Sequence, residues 1–129
     1  MDYRQKSYYS KYRAIKQTYN GYNYDSRLEA SRAYELDMML KAGQIKDWER
    51  QYKVELYFYN KAGDVINFRP WKIDFRVHNL DETYTLEEVK GMELPDFKFK
   101  RDILTKIWLP DHPDHDLVVL KQANIRRHF

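Results

Sequence analysis

Trp71-Lys72-Ile73-Asp74-Phe75-Arg76-Val77 and, after a short interval, Thr83-Tyr84-Thr85-Leu86-Glu87-Glu88-Val89-Lys90-Gly91 are the two runs whose reading decides the fold. They read as neighbouring strands joined by a turn at Asn79-Leu80-Asp81-Glu82. Side chains alternate across a strand, so Glu88 and Lys90 fall on one face. If Asn79 pairs with Thr83, Asp74 lies opposite Glu88, with Cβ atoms about 5 Å apart. A slip of one residue sets Asp74 opposite Glu87 and splits the cluster. Sequence leaves both registers open, and the chemistry of two carboxylates beside a lysine favours the first.

On the N-terminal side, Asn20-Gly21 lies between Thr18-Tyr19 and Tyr22-Asn23-Tyr24. That pattern predicts a hairpin, because both turn residues accept positive φ. Ser26-Arg27-Leu28-Glu29 then reads as a capping box, with Glu29 reaching back to the cap. Leu28, Ala33 (or Arg32), Leu36, Met39 and Leu40 recur at helical spacing, and Gly43 ends the helix with Lys41 in its last turn. Ile45 to Tyr59 reads as extended, Asn60-Lys61-Ala62-Gly63-Asp64 as a turn, and Val65 to Phe68 as a returning strand. Pro70 marks a break or an edge. With the two opening strands, this predicts an antiparallel meander.

On the C-terminal side, Phe97 to Trp108 reads as a helix that buries Phe97, either Ile103 or Phe99, Leu104, Ile107 and Trp108. Leu117-Val118-Val119-Leu120 is expected to be a buried strand, parallel to a neighbour after the helical crossover. The fold class is therefore α/β: a mixed central sheet with a helix packed on each face, preceded by an N-terminal hairpin and arm. The 129 residues form one domain, with residues 1–12 expected to be a flexible basic arm.

Hydrophobic residues make up 43% and charged residues 33% of the chain, and no apolar run approaches the roughly 20 residues that span a bilayer. There is no cysteine, which excludes disulfides and thiolate metal sites and fits a cytoplasmic location. The net charge is only +3, but both ends are basic. Arg4, Lys6, Lys11, Arg13 and Lys16 face a single acid in residues 1–24, and seven of the twelve tyrosines lie in the same stretch. Cations interleaved with flat rings suit a polyanion with unpaired bases, nucleic acid first among them.

Asp74 sits in a strand whose other face carries Lys72, Arg76 and His78, a polar set for a central strand. Magnesium takes oxygen ligands and keeps several waters, so two carboxylates and a substrate phosphate suffice to hold it. An ordinary cross-strand salt bridge uses the same residue types. His112-Pro113-Asp114-His115, flanked by Asp111 and Asp116, has metal-binding residue types but reads more simply as a loop. No phosphate-binding glycine loop and no Gly-x-Ser-x-Gly elbow is present.

Asp74 followed by Glu88-Val89-Lys90 resembles the D…(D/E)xK signature of the restriction-endonuclease-like, or PD-(D/E)xK, nuclease superfamily. The ordered series Asn20-Gly21, Ser26-Arg27-Leu28-Glu29-Ala30, Gly43-Gln44-Ile45-Lys46-Asp47, Asp74 and Glu87-Glu88-Val89-Lys90-Gly91 is similar to small phage-encoded nucleases of that group. The usual proline before the aspartate is Ile73 here. The resemblance covers roughly residues 16–108 and implies a restriction-endonuclease-like sheet. It implies Asp74 and Glu88 as Mg²⁺ ligands, with Mn²⁺ able to substitute, and Lys90 as the catalytic lysine. Glu29 would be a further acid reaching the site from the first helix, and Lys98, Lys100 and Arg101 would contact the DNA backbone. Arg13 and Lys16 from the basic N-terminal stretch are expected to join them.

The expected function is Mg²⁺-dependent hydrolysis of DNA phosphodiesters by an endonuclease, with branched or recombining DNA as one substrate and a homodimer as one assembly. A phage-encoded enzyme of this kind would work in the host cytoplasm. The competing readings are a non-catalytic nucleic-acid-binding module and a small phage interaction protein.

Overall fold

The computed structural model describes residues 16–67 and 70–129. The expected basic arm of residues 1–12 and the expected DNA contact Arg13 lie outside the described residues. Asn20 and Gly21 both adopt positive φ, 51° and 81°, and this tight turn pairs β1 (Gln17–Tyr19) with β2 (Tyr22–Tyr24). Helix α1 (Arg27–Lys41) follows. Its cap is the one the sequence predicts: Ser26 Oγ accepts the Glu29 N–H at 3.0 Å. The return half of the capping box lands one residue earlier, since Glu29 accepts from the N–H of Asp25 rather than of Ser26. At the other end Gly43 takes φ 72°. This lets Gly43 N–H reach Leu40 O and Gln44 N–H reach Met39 O, closing the helix with two backbone bonds.

The central sheet has the order β3-β6-β7-β8, from β3 (Asp47–Val54), β6 (Trp71–His78), β7 (Tyr84–Val89) and β8 (His115–Leu120). The first three are antiparallel, and β8 runs parallel to β7 after helix α2 (Pro95–Ile103). The mixed sheet with two helices matches the expected class. The meander does not hold. Strand β3 spends its whole length on β6, from Asp47↔His78 to Val54↔Trp71. The intervening segment therefore leaves the sheet as its own hairpin, β4 (Tyr57–Tyr59) with β5 (Val65–Asn67). Phe68 lies outside the described residues.

Two further expectations are corrected. Strand β8 is the edge of the sheet and begins at His115. Its outer positions face solvent, and Val118 is 41% exposed. Helix α2 opens at Pro95 and widens into a π-helical turn over Leu104–Trp108, where Leu109 N–H bonds back to Leu104 O. The wider turn changes the helical phase. Phe97, Leu104 and Trp108 are buried, while Phe99 and Ile107 point outward.

The core is divided between the two helices. Ala30, Ala33 and Leu36 of α1 pack with Phe75, Val77 and Val89, whereas Leu104 and Trp108 pack with Val54, Ile73 and Leu86. Ile73 and Phe75 are two apart in β6 and would share a face in a regular strand. They belong instead to different clusters, so the alternation breaks at Asp74.

Candidate active site

The same break is present on β3. Gln51, which would pair with Asp74, has φ 52°. The ladder runs through Arg50↔Phe75 and Tyr52↔Ile73 without a pair between them. Trp48 packs with the α1 cluster and Tyr52 with the α2 cluster. The left-handed residue of β3 and the change of cluster on β6 thus fall at the same level, that of Asp74.

On the other side, β6 and β7 pair from His78↔Tyr84 to Phe75↔Glu87. Asn79 N–H also reaches Thr83 O at 2.8 Å. This is the register that sets Asp74 opposite Glu88. The backbone ladder stops there, and the two carboxylates take its place. Glu88 Oε1 accepts the Asp74 N–H at 3.0 Å, and Asp74 Oδ2 accepts the Val89 N–H at 2.8 Å. Each acid therefore satisfies a backbone donor of the strand opposite and is fixed by it. Lys90 Nζ lies 3.4 Å from Glu88 Oε2 and 4.7 Å from the centre of the Phe97 ring. Glu29 arrives from the first turn of α1, where its carboxyl meets that of Asp74.

Glu88 is 2% exposed. Burial, and then the charge of Asp74, push its pKa up to about 7 against the opposing pull of Lys90. Burial pushes Glu29 up to about 9, helped by its hydrogen bond to Asp74 and the Asp74 charge. Burial is thus the main reason that the two acids resist ionisation. Among the described residues no group of three or more acidic or histidine side chains is arranged to hold a metal by itself. The donor set is the Asp74/Glu88 pair, which suits a hard oxygen-binding cation that keeps water and substrate oxygens in its other positions. That donor chemistry fits Mg²⁺ or Mn²⁺.

Glu87 has a different task. It points to the other face and receives both ends of the Arg32 guanidinium, Nε at 2.8 Å and Nη2 at 2.7 Å. Arg32 also bonds Glu35 at 3.1 Å. Sequence reasoning missed Arg32. Its position three residues after Glu29 puts it on a neighbouring face of α1, but nothing local marks it as the partner of a strand glutamate. It missed Arg50 as well. The Arg50 guanidinium lies over the Tyr22 and Tyr24 rings, and its Nε is buried without a hydrogen-bond partner among the described residues. Arg50 shares a small cavity with Glu29 and Asp74.

The expected DNA-contacting residues fall into three groups. Lys98 and Lys100 are exposed on α2, and Lys100 lines a cavity together with Lys90. Arg101 is held by Glu93 at 2.6 Å and rests on Phe97, which makes it part of the wall behind Lys90. Lys16 is exposed just before β1, and Arg13 lies outside the described residues. The histidines of the Asp111–Asp116 segment are used structurally. His112 stacks on Trp108 and bonds its carbonyl, while His115 accepts from Arg76 Nε at 3.1 Å. His78 stacks on Tyr84 and pairs with Glu82, and His128 pairs with Glu35.

The chain belongs to a protein family described as a protein of unknown function (DUF1064), which matches residues 9–117 and so includes Glu29, Asp74, Glu88 and Lys90. No curated protein and no solved structure matches it.

Proposed function

We propose that the chain is a metal-dependent endodeoxyribonuclease of the PD-(D/E)xK type. The observation that carries this reading is the reciprocal lock of Asp74 and Glu88 onto each other's strand, with Lys90 held against Glu88. A salt bridge built for stability needs no interruption of the sheet. Here the ladder opens so that two carboxylates stand side by side at its end.

In this reading Asp74 and Glu88 present oxygens to Mg²⁺, or Mn²⁺ in its place. When bound, the ion supplies Lewis acidity toward a phosphate oxygen and a more acidic water. The protein supplies the rest. The backbone N–H groups of Asp74 and Val89 fix the carboxylates before substrate arrives, which removes reorganisation from the reaction. Lys90 orients the attacking water or neutralises charge that grows on the phosphate. Glu29, protonated near neutral pH, shares its proton with Asp74 and holds that carboxylate in place. Lys98 and Lys100 offer exposed positive charge to the DNA backbone. Cutting both strands of a duplex takes two such sites, so a homodimer belongs to the same reading, and branched or recombining DNA is among the substrates to be tried.

The test is Mg²⁺-dependent nicking of supercoiled plasmid and of a synthetic four-way junction. Asp74→Asn and Lys90→Ala should each lower the cleavage rate by about 10²–10³-fold while leaving the circular dichroism spectrum unchanged. Equal cleavage by wild type and both variants would overturn the assignment.

A further inference from the structure

A cavity of about 190 Å³ opens directly beyond Lys90, between the start of β6 and the β7–α2 connection. Lys90 is one of its walls, and the ammonium of the same side chain lies 3.4 Å from Glu88 in the acid cluster. Trp71, Met92 and Leu94 give it apolar walls, and the buried ring of Phe97 lies beneath Lys90. Met92 and Leu94 are 56% and 50% exposed, which is costly for large apolar side chains with nothing over them. At the rim stand Asp96 and Lys100, both exposed. The cavity therefore joins flat apolar surface, one hydrogen-bond acceptor and two ammonium groups.

We propose that this cavity receives one unpaired nucleobase next to the phosphate held at Lys90, so that the substrate is DNA with a displaced nucleotide rather than a continuous duplex. The inference rests on the nuclease reading, which places the phosphate at Lys90. A base inside a helical stack cannot enter a pocket, because its faces are covered and its edge is paired. An unstacked base offers two apolar faces, which Trp71, Met92 and Leu94 cover. It also offers amino protons at its edge, which the Asp96 carboxylate can accept, as glutamate and aspartate do from cytosine. Lys90 and Lys100 outnumber Asp96, and this surplus of positive charge suits the phosphates on either side of the base.

The experiment is an equilibrium titration in EDTA, where no cleavage occurs, using duplexes with and without a single extrahelical 2-aminopurine. The wild-type protein should quench the 2-aminopurine through stacking and bind the bulged duplex about tenfold tighter than the continuous one. Met92→Ser/Leu94→Ser alters only exposed loop side chains, and its thermal melt checks the fold. It should erase the preference while leaving affinity for continuous duplex unchanged. Absence of quenching, or an unchanged preference in the double variant, overturns the proposal. Failure of the nuclease reading would show separately, as no Mg²⁺-dependent cleavage of any substrate by a protein that still quenches the probe.

Discussion

Glu87 and Glu88 are adjacent in β7, are both almost fully buried, and face opposite sides of the sheet with opposite electrostatic outcomes. Glu87 is neutralised by the two-pronged Arg32 contact, whereas Glu88 meets a second carboxylate and only a partly exposed lysine. The first arrangement is a structural ion pair. The second leaves negative charge unbalanced among the described residues.

Truncating either member of the Arg32–Glu87 pair strands the other charge in the interior. Arg32→Ala and Glu87→Ala should each cost about 3–5 kcal/mol in urea unfolding. The double replacement Arg32→Met/Glu87→Leu should recover most of that loss, since no unpaired charge is left behind. A loss in the double variant as large as in the singles would show that the pair is not what holds the two elements together.

Stability should fall with rising pH because of Glu29. Its folded pKa is raised from 4.5 to about 9. The unfolded chain therefore releases this proton first, and unfolding free energy declines between those two values. Below pH 4.5 the contribution is fully present, and above about pH 9 it is gone. Glu29→Gln removes the titration, so its stability relative to wild type should rise by at least about 1 kcal/mol between the two ends of that window. Denaturant midpoints measured across the range check the slope.

Metal binding should follow the opposite pH course. Glu88 must give up its proton for a cation to be held well, so Mn²⁺ affinity should increase from about pH 6 to about pH 8.5 with net proton release. Calorimetry in buffers of different ionisation enthalpy reads that proton count directly. Asp74→Asn should abolish the binding heat. Binding that is equally tight at both pH values would count against the Asp74/Glu88 pair as the ligand set.

Gln51 offers a test of how β3 supports the site. A β-branched side chain is strained at φ 52°, so Gln51→Val should cost about 1–3 kcal/mol. Gln51→Gly relieves the same strain and should be neutral to mildly stabilising. If the left-handed residue sets the position of Asp74, the valine variant should also lose Mn²⁺ affinity while the glycine variant keeps it.

Much of this arrangement is legible in the sequence because it is local. The Asn20-Gly21 turn, the Ser26 cap and the Gly43 stop each depend on residues within a few positions, and they take the predicted form save that Glu29 reaches back to Asp25 instead of Ser26. The Asp74–Glu88 register is fixed by a short turn and by which side chains each face can bury, although sequence could not exclude the slip toward Glu87. The errors come from partners far along the chain. Nothing in residues 45–59 says that β3 will choose β6 over the next strand. The four apolar residues of β8 read as interior because the edge of a sheet is decided by how many strands join it. Arg32 and Arg50 escaped notice for the same reason, since each acquires its role from a distant element.

The hairpin of β6 and β7 also bears on how the chain reaches this state. Asp74 and Glu88 are 14 residues apart and are joined by the tightest connection among the four strands of the central sheet. Closing that loop costs little chain entropy, whereas the β3–β6 and β7–β8 pairings must each close a longer excursion. The two like charges are thus brought together by the most local pairing in the sheet, and their mutual repulsion is met when the hairpin closes. If the proposed site takes up a divalent cation as the hairpin closes, the ion would relieve that repulsion at its origin, and so would speed folding while leaving unfolding nearly unchanged.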